Sequence, residues 1–114
     1  MRNMSFMLTL QQIRDRTKDV TRRNGWDFLQ PGDLIRAVHK SQGLKKGEHP
    51  IQLAVLRVET CWREPLDFIS QAEVVREGFP DMTCEEFIAM FIKSHKGVTR
   101  HTRVRRIQFS YVDY

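Results

Sequence analysis

The sequence predicts an α+β fold, a small mixed β-barrel decorated by helices. Segments with strand character are separated by helical segments and tight turns, in the order helix, strands, helices and final strand. Residues 51–61 are rich in Val, Leu and Ile at positions of both parities, which is typical of a strand in the middle of a sheet. A helical bundle would need more sequence with a 3.6-residue period. The 114 residues favour a single domain that occupies residues 1–114.

The first half of the chain is expected to contain a helix and two strands. The helix follows a capping-box pattern at Thr9–Gln12, in which a hydroxyl caps the helix and a glutamine stands three residues later. Asn24 and Gly25 end the first strand, and the pair Pro31–Gly32 predicts a tight turn before the second. The expected bounds are 10–16 for the helix, 19–23 and 34–39 for the strands, and 41–50 for a polar loop.

A long strand, two helical segments and a last strand are expected in the second half. Ser70 is a predicted N-cap and Gly78 a helix stop, and Thr83–Glu86 repeats the capping-box pattern. One face of the second helix is apolar and is predicted to pack in the core, through Phe87, Met90 and Phe91. The expected bounds are 51–61 for the long strand, 66–76 and 84–94 for the helices, and 103–112 for the last strand.

The chain carries a formal net charge of +5, and its basic residues are concentrated in two segments. Residues 93–106 contain six lysines or arginines and no acidic residue, and residues 14–23 contain five basic side chains. Basic clusters on a small domain favour an anionic partner, most simply a nucleic acid or nucleotide. A solvated basic face and a face that binds an acidic protein are the alternatives that the charge pattern leaves open.

The cysteines and the apolar segments indicate the compartment. Cys61 and Cys84 are far apart and form no CxxC motif, which indicates free thiols in a reducing environment. The N-terminal apolar run is too short and interrupted for a signal peptide, and no apolar segment approaches membrane-spanning length. The sequence therefore predicts a cytoplasmic protein without membrane association. The four histidines and two cysteines show no ligand spacing, so we expect neither a metal nor another cofactor.

The residues best suited to chemistry lie between Thr17 and Arg23. On a strand, Lys18 and Arg22 face one side, and Thr21 and Arg23 face the other. A bend at the start of the strand would still let Lys18 converge with Thr21 on a pocket. Such donors suit a phosphate, a carbonyl or the edge of a nucleobase. The alternative is that the segment is an ordinary solvated strand edge.

The motifs, taken in order, resemble those of the ASCH family, whose fold is the PUA-like β-barrel. One position departs from the family pattern, which has a glycine two places before the lysine, where this chain has Arg16. The resemblance covers most of the chain and implies a PUA-like mixed β-barrel with flanking helices, of a small type found in bacterial and phage genomes. The matching segments are Gln12–Asp15 before Lys18–Arg23, Pro31–Asp33 before a strand, Arg76–Phe79 before a capped helix, and Ile107–Phe109 in the last strand.

The resemblance also implies a function. ASCH domains are expected to bind RNA or a modified nucleoside in a cleft beside the barrel. Some small members are amidohydrolases that deacetylate acetylcytidine, and others have been linked to ribonuclease activity. The match assigns the amidohydrolase roles to Thr21 as nucleophile, Lys18 as the group that activates it, and Glu77 as the group that handles the proton. RNA or nucleotide binding is the leading hypothesis, and an amidohydrolase or a small ribonuclease is the enzymatic alternative.

Seven residues are expected to contact the nucleic acid. Arginines can bind phosphates with two parallel hydrogen bonds, and a tryptophan face can stack on a base. Trp26 follows a turn and is the better stacking candidate, whereas Trp62 is expected to pack at a corner of the barrel. The seven residues are Arg16, Arg22, Arg23, Trp26, Arg103, Arg105 and Arg106.

Overall fold

One mixed five-stranded sheet organises the molecule, which is represented by a computed structural model that describes residues 1–113. The sheet curls into a half-barrel flanked by a few helices, so the predicted α+β barrel is confirmed. The strands are β1 Arg2–Ser5, β2 Val20–Arg23, β3 Leu34–Val38, β4 Gln52–Pro65 and β5 Arg103–Tyr111. The helices are α1 Leu10–Asp15, α2 Gln71–Arg76 and α3 Cys84–Ser94, with 3₁₀ turns at Met7–Thr9 and Leu66–Phe68.

The spatial order of the strands is β1-β3-β4-β5-β2. β1 runs parallel to β3, and the other three pairs are antiparallel. The apolar strand β4 is central, as predicted, and it continues past Cys61 through Trp62–Pro65, a segment that includes two charged residues. β1 was not predicted, because its four residues are too few to show an alternating pattern. β1 and β2 are the two edge strands, and they bound the gap in which the candidate site lies.

Two clusters of buried side chains form the core. The first joins α1 to one face of the sheet, through residues such as Phe6, Ile13 and Leu56. The second joins α2 and α3 to the start of β5, through residues such as Val74 and Phe91. Burial of this apolar surface is the main force that holds the helices against the half-barrel. Within residues 1–113, no helix is both long and apolar enough to cross a membrane.

Two of the three predicted helix caps are present. Thr83 and Glu86 form a complete capping box, and the Ser70 hydroxyl accepts a hydrogen bond from the backbone N–H of Glu73. The predicted capping box at Thr9–Gln12 is wrong, because the Thr9 side chain makes no cap hydrogen bond. A 3₁₀ turn leads directly into α1 there, so Thr9 already belongs to a preceding turn and lacks the extended backbone of an N-cap. The predicted single helical segment 66–76 is also divided, at Ile69–Ser70.

Candidate functional site

The segment before β2 is held against the end of α2. The backbone N–H of Asp19 donates to the carbonyl of Arg76 at 3.0 Å, and the Arg76 guanidinium binds the Asp19 carboxylate. Lys18 therefore leaves the sheet and lies beside the C-terminus of α2. This is the bend at the strand start that lets Lys18 point toward the same space as Thr21.

Arg16 makes the turn that precedes this segment. It follows α1 with φ of 60°, the left-handed conformation that glycine adopts without strain. The turn expected of a glycine is thus retained with an arginine in its place. The Arg16 side chain lies outside the site, where it pairs with Asp113 and stands 5.1 Å from the centre of the Tyr111 ring.

Gly78 allows the end of α2 to approach α1 and Lys18 closely. Its φ is +104°, which side chains rarely tolerate, and a Cβ there would lie 2.9 Å from Cγ of Gln12. The Gln12 amide also donates to the Gly78 carbonyl at 3.1 Å. Only glycine fits both the backbone turn and the close contact, and Glu77 directly precedes this turn.

Glu77 is the centre of a buried ion-pair network. Its carboxylate accepts from Lys18 Nζ at 2.9 Å and from Arg22 at 3.0 Å, and its backbone carbonyl accepts from Lys18 Nζ at 2.7 Å. All three side chains are buried. Burial is the largest influence on the Lys18 pKa and lowers it; Glu77 acts against this shift, and Arg22 and Arg23 add to it.

The network continues across α2 to β4 and β5. Arg22 also binds Glu73 and Glu64, and Arg106 binds Glu73 with two hydrogen bonds at 2.8 and 3.0 Å. The hydrogen bond from Arg106 is the main reason that the pKa of Glu73 falls to about 2. The positions of Arg22 and Glu77 are therefore fixed by several charged neighbours, rather than by one contact.

A cavity of about 210 Å³ opens beside this network. β2 supplies polar side chains to it, and α3 with its preceding loop supplies mainly apolar and aromatic ones. The three residues assigned catalytic roles by resemblance, Lys18, Thr21 and Glu77, meet in this cavity. The polar lining includes Lys18, Thr21, Arg22, Arg23, Glu77 and His95, and the apolar lining includes Phe6, Phe79, Phe87, Met90 and Phe91.

Arg23 and Thr21 present their side chains to the cavity together. The Nε–H of Arg23 donates to the Thr21 hydroxyl at 3.1 Å, and the guanidinium carbon lies 4.6 Å from the centre of the Phe6 ring. Burial lowers the pKa of Arg23 to about 10, so the guanidinium remains charged at neutral pH. Within residues 1–113, Arg23 has no carboxylate within ion-pair distance. The other lysine and arginine that line the cavity, Lys18 and Arg22, both pair with Glu77.

The apolar face of α3 was predicted to pack in the core, and it has a second role that the sequence did not indicate. Phe87 and Phe91 are buried in the core as predicted, and together with Met90 they also line the cavity. The Phe91 ring stacks on His95, with ring centres 4.0 Å apart and planes 11° apart. The apolar face therefore supplies the aromatic wall of the site as well as core packing.

The other predicted nucleic-acid residues are dispersed. Arg103 is exposed at the start of β5, and Arg105 donates to the carbonyl of Leu29 at 2.7 Å. Arg106 is buried in the network and lies 4.3 Å from the Trp62 ring. Trp26 is half-buried in the loop after β2, outside the cavity. Of the seven residues, Arg22 and Arg23 line the cavity.

Two acidic residues of the network, Glu64 and Glu73, were not identified from the sequence. Glu73 stands four residues before Glu77, so the two lie on the same side of α2, and this spacing was a usable signal. Glu64 carried no such signal, because it belongs to the part of β4 that was not predicted. Residues 1–113 contain no cluster of three or more His, Cys, Asp or Glu side chains that could hold a metal ion.

Comparison with known proteins identifies the fold. No family model and no curated protein matches the sequence. A crystal structure of an Enterococcus faecalis protein of family DUF984 is similar with a TM-score of 0.65 and 15% identity, over 98% of this chain and 79% of that one. The hypothetical protein PH0355 is similar with a TM-score of 0.67 and 13% identity, over 97% of this chain and 96% of the PH0355 chain.

The third similar structure bears on the expected family. It is the ASCH domain of a Lactobacillus crispatus protein, with a TM-score of 0.67 and 13% identity, over 96% of this chain and 78% of that one. Because the identities are low, these likenesses establish the fold and not the activity. The chain has the fold of an ASCH domain, as the sequence motifs predicted.

Proposed function

We propose that the chain binds RNA or a nucleotide and holds one nucleobase in the cavity between β2 and α3. The observation that carries the proposal is the lining of the cavity, which combines hydrogen-bonding groups of Lys18, Thr21 and Arg23 with aromatic rings of α3. A nucleobase has a polar edge and apolar faces, and pockets for extruded bases combine edge hydrogen bonds with stacking on apolar or aromatic side chains.

The size and charge of the cavity support a small anionic ligand. Its volume of about 210 Å³ is below the roughly 300–1,000 Å³ of pockets that enclose drug-sized molecules, which favours a single ring system. Arg23 has no carboxylate within ion-pair distance in residues 1–113, although the charge of Glu77 acts on it from farther away, and a guanidinium binds phosphate well. The ASCH-type fold is a further support for a nucleic-acid ligand.

The test is binding of cytidine 5′-monophosphate and of single-stranded RNA, measured by isothermal titration calorimetry at several salt concentrations. We expect binding at low ionic strength that weakens as salt is added. Arg23→Gln should weaken binding of the mononucleotide by roughly tenfold or more, because a charged hydrogen bond is lost. Arg14→Gln, which removes an exposed arginine of α1, is the matched control and should bind like the wild type. Absence of binding at low ionic strength would refute the proposal.

A second candidate function is hydrolysis of an acylated cytidine. The observation that favours it is the burial of Lys18, which lowers its pKa beside Glu77 and in the same cavity as the Thr21 hydroxyl. In this reaction the neutral amine of Lys18 takes the Thr21 hydroxyl proton as Oγ1 attacks the acyl carbonyl, and it passes this proton to the Glu77 carboxylate. Glu77 then gives the proton to the leaving amine as the bond between the acyl carbon and the cytidine N4 breaks. Water then releases the acyl group from Thr21.

Incubation with N4-acetylcytidine, followed by chromatography, tests this reaction. We expect release of cytidine and acetate by the wild type, and loss of turnover by roughly a hundredfold or more in Lys18→Ala and Thr21→Val. Thr21→Val keeps the size of the side chain, so thermal unfolding should show that it remains folded. Equal turnover in the wild type and Thr21→Val would exclude Thr21 as the nucleophile.

A further inference from the structure

A second depression lies along the same gap between the two edge strands. It has a volume of about 580 Å³ and is lined by Met1, Arg2, Asn3, Asn24, Trp26, Phe28 and Arg36. The cavity is lined by Ser5 and Phe6 at the other end of β1, and by Arg23, which directly precedes Asn24. The two spaces therefore follow one another along the β1–β2 gap. We call the second depression the seam groove.

Two aromatic rings form the floor of the seam groove. Trp26 and Phe28 lie with ring centres 5.3 Å apart and planes 38° apart, and Phe28 is 51% exposed. Trp26 packs against the core cluster of the sheet while its backbone has φ of 62°, a conformation that bulky residues rarely adopt. Strain of this kind is held in place by surrounding structure and is concentrated at functional sites. The aromatic platform is thus both fixed and accessible.

The charge of the seam groove is positive. The Arg2 guanidinium lies 4.3 Å from the centre of the Phe28 ring. Arg36 is oriented by hydrogen bonds to the side-chain oxygens of Gln52 at 2.9 Å and Asn3 at 3.3 Å. No carboxylate lines the groove, and neither arginine forms an ion pair within residues 1–113. The groove therefore presents two partly exposed aromatic rings beside two arginines that form no ion pair in this part of the chain.

We propose that the seam groove binds single-stranded nucleic acid, with a base stacked on Trp26 and Phe28 and phosphates on Arg2 and Arg36. Stacking platforms beside cations are the general means of holding single strands without reading their sequence. The strand then passes Arg23, and its next nucleotides reach the cavity. This inference rests on the proposed function, and it specifies the ligand as an oligonucleotide rather than a free nucleoside.

Fluorescence of Trp26 tests the inference directly. The chain has two tryptophans, so Trp62→Phe leaves Trp26 as the only one. In this background we expect ribohexacytidylate to quench Trp26 and to bind at least about fivefold more tightly than cytidine 5′-monophosphate, the gain of one stacked base. Deoxyhexacytidylate is the second probe. Equal binding of the ribose and deoxyribose hexamers would show that the groove binds single-stranded RNA and DNA alike.

Phe28→Ala in the same background separates the groove from the cavity. It should weaken hexamer binding by at least about fivefold and leave mononucleotide binding unchanged. Phe68→Ala, which removes a ring that is 70% exposed on the turn after β4, is the matched control and should leave both unchanged. Thermal unfolding of each variant establishes that it is folded.

The outcomes distinguish the two proposals. A hexamer that binds no more tightly than the mononucleotide, or that is insensitive to Phe28→Ala, would refute the seam groove and leave the cavity as a nucleotide site. Hexamer binding that depends on Phe28, without any mononucleotide binding, would support the groove and refute the cavity as a base pocket.

The salt dependence checks the phosphate contacts. Each phosphate contact to a single strand contributes about 0.7 to the slope of log affinity against log salt concentration. Arg2→Gln and Arg36→Gln should each reduce the slope for the hexamer by about this amount. Arg14→Gln should leave it unchanged. Slopes that are equal in all three variants would contradict the assignment of phosphates to Arg2 and Arg36.

Discussion

The cavity and the seam groove lie along the same gap between β1 and β2, but their charges are balanced in different ways. In the cavity, Lys18 and Arg22 are buried and are neutralised by Glu77 and its neighbours on α2. In the groove, the arginines are not neutralised within residues 1–113. Buried charges must be paired to be tolerated, whereas exposed charges are solvated by water. We therefore expect substitutions in the network to lower stability, and substitutions in the groove to affect binding alone.

The largest expected effect is that of Glu77→Gln. The substitution removes the negative charge that pairs with Lys18 and Arg22, and it leaves two buried cations with one fewer partner. Removal of one member of a buried ion pair costs about 3–5 kcal/mol of unfolding free energy. Urea-induced unfolding, followed by circular dichroism, measures the loss.

Arg2→Gln is the comparison variant for the groove. It removes a cation that contacts the Phe28 ring and water, so the unfolding midpoint should remain at the wild-type value. If Glu77→Gln and Arg2→Gln had the same unfolding free energy, the distinction between a structural network and a solvated binding surface would be wrong.

The fold was predictable where local patterns decide it. The Thr83 cap, the Pro31–Gly32 turn and the central position of β4 follow from neighbouring residues or from one apolar run. β1 was missed because its stability comes from pairing with β3, which lies about thirty residues away in sequence, and four residues carry too little pattern. Strand pairing between distant segments is not encoded in local preferences.

The sequence singled out three residues that the structure places around one cavity, and it did not indicate the charged residues that surround them. The resemblance to ASCH motifs predicted that Lys18, Thr21 and Glu77 share one site. Strand alternation alone would have placed Lys18 and Thr21 on opposite sides of the strand. The burial of Arg106 was not predicted, because a charged residue on a strand is normally exposed. Its burial depends on the packing of α2 over β5, which supplies Glu73 as a partner.

Gly78→Ala tests whether the turn after α2 sets the position of Glu77. A side chain there has an unfavourable φ and would approach Gln12 Cγ at 2.9 Å. The backbone strain costs about 1–2 kcal/mol and the crowding about 1–3 kcal/mol more. Unfolding free energy and mononucleotide affinity should both fall, because Glu77 and Lys18 are displaced. Hexamer quenching of Trp26 should change less, since the groove lies at the other end of β1.

Gly97→Ala is the matched control for Gly78→Ala. Gly97 has φ of +81° and no atom within 4 Å of an added Cβ, so only the backbone strain remains. The difference between the two variants isolates the contact with Gln12. Equal losses of stability in the two variants would mean that Gln12 moves aside at no cost, and that its contact with residue 78 does not contribute.

A smaller effect is expected from Glu73, and it changes with pH only in the acidic range. Its pKa is lowered from 4.5 to about 2 in the folded protein. The stabilisation that Glu73 supplies is therefore complete above pH 4.5, and it is lost as the pH falls toward about 2, where the folded protein also takes up the proton. Glu73→Gln should lower stability at neutral pH. Between pH 4.5 and about 2, the stability of this variant should fall less steeply than that of the wild type. Thermal unfolding at a series of pH values measures the two profiles, and Glu59→Gln, an exposed glutamate of β4, should follow the wild type.

The smallest effect is expected at Arg16, the position where the ASCH pattern has glycine. Arg16→Gly relieves the left-handed backbone and removes an exposed ion pair with Asp113, and these opposing changes should leave the melting temperature close to that of the wild type. Arg16→Val removes the same guanidinium but places a β-branched residue at φ of 60°, so its melting temperature should fall. Mononucleotide affinity should stay within about twofold of the wild type in Arg16→Gly, because the Arg16 side chain points away from the cavity. A larger loss of affinity in Arg16→Gly would mean that Arg16 itself reaches the ligand, and that the cavity extends past the turn.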